Sequence, residues 1–201
     1  DDTTPTIDGT FVNIEIIIGS SQVDELNGTD DDDTFSVSAY QTVTVNGTLT
    51  ISAIDQLNGL LGSDTLDFST FANALDLTLT DETADGFGGD ETKSGIAFTG
   101  VDILTGSANT DSIKGLDVDA TWQMTGSAAG AYSIGAGSLK FSNMEILTGS
   151  AFQDILDYSL YTSGVSFNLI ALDAYGSFSG SASGLTGFSG MDLLVGSAFN
   201  D

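Results

Sequence analysis

The sequence predicts an all-β fold, a parallel β-helix-like β-solenoid of about four and a half repeats of 40–47 residues, with a tandem β-sandwich as the alternative. One motif recurs five times, alternating strand-like segments separate its copies, and no segment has a sustained helical period. The motif is F-x-[NGA]-[IVM]-[DE]-x-[IL]-x-G-x-x-x-x-D-x-[LI], with Ile51 in place of the first Phe in one copy. Its glycines are Gly19, Gly59, Gly106, Gly149 and Gly196. Self-similarity at this period indicates a repeat architecture, in which no unit buries its apolar face alone.

The first element along the chain is a predicted linker at residues 1–10, which contains the only proline. Residues 11–201 form the predicted repeat array, with units that start near residues 11, 51, 98, 141 and 188.

Each unit opens with three apolar residues that are three positions apart. The five sets are Phe11, Ile14, Ile17; Ile51, Ile54, Leu57; Phe98, Val101, Leu104; Phe141, Met144, Leu147; and Phe188, Met191, Leu194. A regular strand turns every second side chain to the same face, so this spacing requires a break in the strand. We predict a left-handed or bulged corner at Asn13, Ala53, Gly100, Asn143 and Gly190, where Ala53 is the residue least suited to it. Stacked units would align the apolar positions in internal ladders.

The segments between these anchors alternate apolar and polar residues and predict half-buried strands. They lie at 35–39, 42–45, 48–51, 75–79, 131–134 and 165–169. A unit of this length exceeds one solenoid rung, so we expect two rungs per unit or one rung with a protruding hairpin.

The composition excludes several functions. The chain has 29 acidic residues, three lysines, no arginine and no histidine, which gives a net charge of −26. Nucleic-acid binding needs a basic surface, so it is excluded. The chain has no cysteine, and it lacks an apolar run long enough to insert into a membrane. Divalent cations are the natural counterions of so acidic a compact fold.

Three sets of acidic residues are candidates for cation binding. The turn aspartates follow each motif glycine by five residues, and they either bind calcium or cap the turn through backbone N–H groups. They are Asp24, Asp64, Asp111, Asp154 and Asp201. The second set follows the middle apolar residue and is expected on a solvated face. It comprises Glu15, Asp55, Asp102, Glu145 and Asp192. The third is the local run Asp30, Asp31, Asp32 and Asp33, whose four carboxylates predict a bound cation.

The segment from Gly19 to Phe35 resembles a degenerate RTX (haemolysin-type) repeat, G-G-x-G-x-D-x-U-x, whose aspartates bind calcium between solenoid turns. Residues 64–69 and 154–159, Asp-x-Leu-Asp-[Phe/Tyr]-Ser, are similar to the β-strand repeats of very large bacterial surface proteins and adhesins. The resemblance covers residues 11–201. It implies calcium as the cofactor and the outside of a bacterial cell as the location.

The sequence therefore predicts a non-catalytic extracellular structural protein, a repeat segment of a bacterial surface filament, surface layer or long adhesin, stabilised by calcium. Catalysis by most known side-chain mechanisms is excluded without His, Cys or Arg. The alternative is an adhesin module that binds carbohydrate or ice, and a polysaccharide-cleaving β-helix enzyme ranks below it. The expected partners are further copies in head-to-tail assembly or flanking repeats of a longer chain, and a cell-surface glycan is a further candidate.

Overall fold

A computed structural model describes residues 16–172 and 176–201. These residues form 21 β-strands and no helix, arranged in two large sheets that mix parallel and antiparallel pairs. The all-β prediction is therefore confirmed. The predicted linker, the corner at Asn13 and the acid Glu15 lie outside the described residues.

The strands are short, mostly three to seven residues. In chain order they are β1 Ile16–Ile18, β2 Glu25–Asn27, β3 Thr34–Ala39, β4 Thr42–Val45, β5 Leu49–Ser52, β6 Gln56–Asn58, β7 Thr65–Asp67, β8 Asp76–Thr83, β9 Gly86–Glu91, β10 Ile96–Val101, β11 Ile103–Thr105, β12 Ser112–Lys114, β13 Ala120–Gly126, β14 Ala129–Ile134, β15 Gly137–Ser142, β16 Ile146–Thr148, β17 Asp154–Asp157, β18 Phe167–Leu172, β19 Phe178–Ala182, β20 Leu185–Met191 and β21 Leu193–Val195. Sheet A has the order β1-β5-β4-β3-β7-β11-β15-β14-β13-β17-β21, and sheet B has the order β18-β19-β20-β16-β12-β8-β9-β10-β6-β2.

The chain alternates between the two sheets along its whole described length. Each visit contributes either one short strand or a three-stranded antiparallel meander: β3–β5 and β13–β15 in sheet A, β8–β10 and β18–β20 in sheet B. All pairs between successive visits to a sheet are parallel. Each of these four meanders adds two strands to its sheet, so the extra residues of a unit are paired within the sheet and do not form a protruding hairpin.

Successive repeat units exchange sheets. The first apolar position of the motif lies in sheet A at Ile51 and Phe141, and in sheet B at Phe98 and Phe188. Between one copy of the motif and the next, the chain crosses from one sheet to the other an odd number of times. The next copy therefore starts in the other sheet. The structural period is therefore two sequence repeats.

The apolar positions form ladders in the core, but these ladders pair unlike positions of successive units instead of aligning like positions. The first apolar residue of one unit lies beside the third apolar residue of the unit before it, in the pairs Ile17–Ile51, Leu57–Phe98, Leu104–Phe141 and Leu147–Phe188. Except for Ile17, these residues are buried. Burial of each such side chain contributes about 1.5–3 kcal/mol, and the ladders join every unit to its neighbours.

The predicted corners are confirmed at all four described positions. The φ angle is 58° at Ala53, 65° at Gly100, 55° at Asn143 and 70° at Gly190. Asn and Gly adopt this left-handed region readily, whereas Ala adopts it at a cost of roughly 1–2 kcal/mol. Ala53 is held there by the same packing that holds its counterparts.

The motif glycines pack against these corners, and this contact explains why the position excludes a side chain. A Cβ atom on Gly19, Gly59, Gly106 or Gly149 would overlap the carbonyl oxygen of the corner residue in the next unit, which is Ala53, Gly100, Asn143 or Gly190 respectively. The turn of one unit and the corner of the next therefore interlock.

Candidate functional site

The turn aspartates cap the backbone of their own turns. The carboxylate of Asp111 accepts hydrogen bonds from the backbone N–H of Ser107 at 2.6 Å and from its hydroxyl at 2.9 Å. Ser150 makes the same two contacts to Asp154, and Ser20 makes them to Asp24. These bonds satisfy amides that leave the strand ladder, which is the turn-capping role considered for this position.

The second acidic set links each turn to the next unit. The carboxylate of Glu145 accepts the backbone N–H of Asp111 at 2.9 Å, and the carbonyl of Asp111 accepts the backbone N–H of Glu145 at 3.1 Å. We call this reciprocal pair of hydrogen bonds a carboxylate–amide clamp. The four clamps are Asp24–Asp55, Asp64–Asp102, Asp111–Glu145 and Asp154–Asp192.

The prediction that this second set lies on a solvated face is wrong for the four described members. Asp55, Asp102, Glu145 and Asp192 are half-buried, and each carboxylate faces a backbone amide. The turn amide is at the point where the chain leaves one sheet for the other, so it has no strand partner and requires an acceptor. A side chain from the neighbouring unit supplies that acceptor.

The other carboxylate oxygen of the turn aspartates reaches a third segment. Oδ1 of Asp111 accepts the backbone N–H of Leu75 at 2.7 Å, and Oδ1 of Asp201 accepts that of Val165 at 2.7 Å. Hydrogen bonds to the carboxylate, first from the Ser197 hydroxyl and then from Val165, lower the pKa of Asp201. The turn aspartates therefore connect the segments before and after them as well as closing their own turn.

A sixth turn of this kind was missed in the sequence because its unit lacks the preceding apolar anchor. The backbone N–H of Thr29 donates to Asp33 at 2.6 Å, five residues after Gly28, and Asp33 is only 3% exposed. Burial alone would raise the pKa of Asp33, but hydrogen bonds from the Thr29 backbone and the Asn46 and Thr29 side chains together lower it. The sequence does contain the turn pattern here, because Gly28, Thr29 and Asp33 have the same spacing as Gly106, Ser107 and Asp111.

The run Asp30–Asp33 does not gather its four carboxylates at one point. Asp33 is directed into the core as a cap, whereas Asp30, Asp31 and Asp32 are exposed. Oδ1 of Asp32 accepts the backbone N–H of Ser63 at 2.8 Å, which ties it to the neighbouring turn. The run thus contributes separate caps to two turns.

The turn aspartates form two columns instead of the single stack expected from an in-register solenoid. Asp24, Asp111 and Asp201 follow strands of sheet A, while Asp64 and Asp154 follow strands of sheet B. The strands that carry them are parallel within each sheet, so crossings from A to B lie on one side and crossings from B to A on the other. The exchange of sheets between successive units produces this separation, which also reduces the repulsion between carboxylates.

Asp64 is the exception among the caps. Its turn has Leu60 in place of the hydroxyl residue, with φ at 70°, and the backbone N–H of Leu60 donates to Asn58. The Oδ2 atom of Asp64 is buried without a hydrogen-bond partner, while Oδ1 accepts the backbone N–H of Asp33 at 2.8 Å. Burial, and less strongly the nearby charges of Asp33 and Asp102, raise the pKa of Asp64 to about 6.

The single tryptophan and two of the tyrosines are packed in the core, where a glycan cannot reach them. Trp122, Tyr132 and Tyr158 are fully buried. The indole Nε1 of Trp122 donates to Asp154 at 3.3 Å, and burial nevertheless raises the pKa of that carboxyl. Stacking platforms for sugars require exposed rings, so these three residues do not form one.

The calcium hypothesis requires six to eight oxygen ligands around one point. Within residues 16–172 and 176–201, no group of three or more acidic side chains is placed to hold a metal ion. The caps at Asp24, Asp111 and Asp154 direct carboxylate oxygens at backbone N–H groups of their own turns, which leaves fewer oxygens for a cation there. Calcium binding at these residues stays a prediction.

One open groove lies away from all predicted site residues. It has a volume of about 480 Å³ and contains two carboxylates, Glu82 and Asp119, beside the exposed ring of Phe152. Asp119 accepts the backbone N–H of Gln153 at 3.0 Å, so one of the two acids is a backbone cap here as well.

In comparisons with known proteins, no family model, curated protein or solved structure matches the chain. In the described part of the chain, no helix is long and apolar enough to cross a membrane.

Proposed function

We propose that the chain is a non-catalytic structural module, a repeat segment of a filament, surface layer or long adhesin on the outside of a bacterial cell. The observation that carries this proposal is the use of the recurrent acids. In unit after unit their carboxylates bind backbone amides, in clamps that hold one unit to the next. Such acids serve to extend and stiffen an array, and they are not free to act on a substrate.

The two-sheet winding supports a solenoid as the architecture of the module. The chain alternates between the sheets, and each return to a sheet adds strands beside the earlier ones. A solenoid wound from two flattened sheets accounts for this order and for the interlocking of turns with corners. The resemblance of the repeats to those of bacterial surface proteins supports the extracellular location.

The rival functions receive less support from the side chains. Ice-binding solenoids array paired threonines on one flat face, but the pairs in this chain are divided between the sheets: Thr42 and Thr44 belong to sheet A, and Thr78 and Thr80 belong to sheet B. They therefore do not make one flat array. Hydrolysis of a glycosidic bond needs two available carboxylates on either side of the bond, whereas the clamp acids are bonded to amides.

Thermal unfolding in chelator, with calcium or magnesium added afterwards, tests the proposal. We expect a cooperative transition in chelator at low salt, because the clamps need no metal. A rise in melting temperature with calcium, and a smaller one with magnesium, would support the calcium prediction. A chain that is unfolded until calcium is added would show that the clamps do not hold the module together. Incubation with surface polysaccharides should release no sugar, and cleavage that is lost in a folded Glu82→Gln variant would overturn the structural proposal.

A further inference from the structure

As far as the structure describes the chain, the two sheets end in four edge strands: β1 and β21 in sheet A, and β2 and β18 in sheet B. Edge strands present unpaired backbone groups and are templates for another strand. These edges also carry large exposed apolar side chains, including Ile18 in β1 and Ile170 in β18, at 73% and 76% exposure. The repeat symmetry allows the missing neighbours of these edges to be specified.

Strand β18 is the counterpart of β8 inside the array. The Leu75 amide donates to Asp111, and the Val165 amide donates to Asp201 in the same way, which places Val165 at the position of Leu75. Leu169 then corresponds to Leu79, yet Leu79 is 3% exposed and Leu169 is 49% exposed. Strand β8 is covered by β12, and among the described residues β18 has no neighbour of that kind.

Strand β2 has the features of the absent neighbour. It follows Asp24 as β12 follows Asp111. One side of β12 pairs with β16 and the other with β8. Strand β2 pairs with β6 on one side, and no strand of residues 16–172 and 176–201 pairs with its other side. The open side of β2 is therefore the side that would face a strand of the β8 or β18 type.

The two ends of sheet A are also complementary, but each end already contains the strand that would form the junction. Strand β21 corresponds to β11, which has β15 as its outer neighbour, and the counterpart of β15 at the other end of the array is β5. Strand β5 is already covered by β1. Residues 11–24 and 188–201 are copies of the same half-unit, so only one of them fits at a continuous junction.

We propose that two copies of this chain join end to end by segment exchange: β21 of one copy replaces β1 on β5 of the next, and β18 of the first pairs with β2 of the second. The proposal rests on the structural function and names its partner as a second copy. A three-residue edge strand with exposed Ile17 and Ile18 opens at low cost. Strand β21 makes the same kind of contacts to β5 that β1 loses. The pairing of β18 with β2 is therefore a net gain of contacts. The junction is heterologous, so it propagates into an open filament.

A disulfide between engineered cysteines tests the junction, because the natural chain has no cysteine. Thr78 faces Lys114 in the pairing of β8 with β12, and the corresponding residues are Asn168 and Asn27. Their Cα atoms would be about 5 Å apart across the junction, within disulfide range. In a single copy they lie at opposite edges of a ten-stranded sheet, roughly 40 Å apart. A disulfide between them therefore reports only contact between copies.

Mild oxidation of the Asn27→Cys/Asn168→Cys variant should give a ladder of disulfide-linked oligomers, and a mixture of the two single variants should give a dimer that needs both. The out-of-register pair Asn27→Cys/Ile170→Cys is the control and should react much less. Monomer alone, or equal reaction of the control pair, would overturn the proposal. Circular dichroism of the reduced variants shows whether they are folded. A folded protein that stays monomeric would refute the junction but not the proposed structural function.

A second pair tests the exchange itself. Thr105 faces Ser142 in the pairing of β11 with β15, so exchange would bring Val195 of one copy opposite Ser52 of the next. Simple addition of one edge to the other would instead bring Val195 opposite Ile18. Cross-linking of Val195→Cys with Ser52→Cys, and not with Ile18→Cys, is expected. Preference for Ile18→Cys would refute segment exchange.

Discussion

Replacement of Asp111 by Asn tests the capping role where burial makes its effect largest. Asp111 is fully buried, and its carboxylate accepts hydrogen bonds from the Ser107 amide, the Ser107 hydroxyl and the Leu75 amide. In Asp111→Asn, one carboxylate oxygen becomes an NH₂ group that faces N–H donors. The carbonyl oxygen can serve only one of the two backbone amides well.

The expected loss of stability follows from these contacts. A hydrogen bond to a charged group contributes about 1.5–3 kcal/mol, and a buried donor left without an acceptor costs about 1–3 kcal/mol. We therefore expect Asp111→Asn to lower the free energy of unfolding by about 2–4 kcal/mol. The lower net negative charge offsets this by less than about 1 kcal/mol, because surface charges are screened.

Urea denaturation in chelator, followed by circular dichroism, measures this loss without interference from calcium. The matched control is Asp24→Asn, in which the same two contacts from Ser20 are lost at a half-exposed turn, where water replaces them. We expect a cost of no more than about 1 kcal/mol for the control. Equal costs for the two variants, or a negligible cost for Asp111→Asn, would refute the reasoning.

Three further predictions concern the corners, the turn glycines and Asp64. Gly106→Ala should destabilise the fold by about 2–3 kcal/mol in urea denaturation, because its Cβ overlaps a carbonyl, whereas Gly126→Ala should be nearly neutral, since its Cβ meets its nearest neighbour at 3.7 Å. Ala53→Gly should raise the free energy of unfolding by about 0.5–1 kcal/mol by relieving a positive φ, while the control Ala97→Gly in β10 should lower it by a similar amount; stabilisation by both would contradict this account. The folded-state pKa of Asp64, about 6, lies above its ordinary value of 3.8, so its contribution to stability is fully present below pH 3.8 and is lost as the pH rises through 6. Asp64→Asn should therefore be more stable than the wild type at pH 7–8, by on the order of 1 kcal/mol, and the difference should vanish near pH 4; a constant difference across this range would show that Asp64 does not titrate as described.

The sequence was sufficient to predict the alternating strand segments and the corners because both depend on local residue types, whereas strands such as β9, β13 and β19 were not predicted. Alternating apolar residues gave β4 at residues 42–45 with its observed bounds, and Asn or Gly before the middle apolar residue gave the positive φ. Ala53 adopts the corner although its own preference opposes it, because its counterparts in the other units fix the geometry that the packing requires.

The exchange of sheets between units could not be predicted from the motif, because the motif is the same whichever sheet it enters. It depends on the number of strands in the variable segments, where hairpins such as β8–β9 lack a fixed spacing signal. Without this exchange, units stacked in register would place the five turn aspartates in one column. The role of acids such as Glu145 was missed for a related reason: their partner is an amide in the preceding unit, which only the register between units brings within reach.

Amide hydrogen exchange of the metal-free protein tests the central claim most directly, because the claim is that the recurrent carboxylates hold backbone amides within the fold. In chelator, the amides of Ser107, Asp111, Ser150 and Asp154 should exchange as slowly as those of the neighbouring strands, since each donates to a carboxylate. Exchange of these amides at the rate of an unstructured chain, with protection appearing only after calcium is added, would contradict the account.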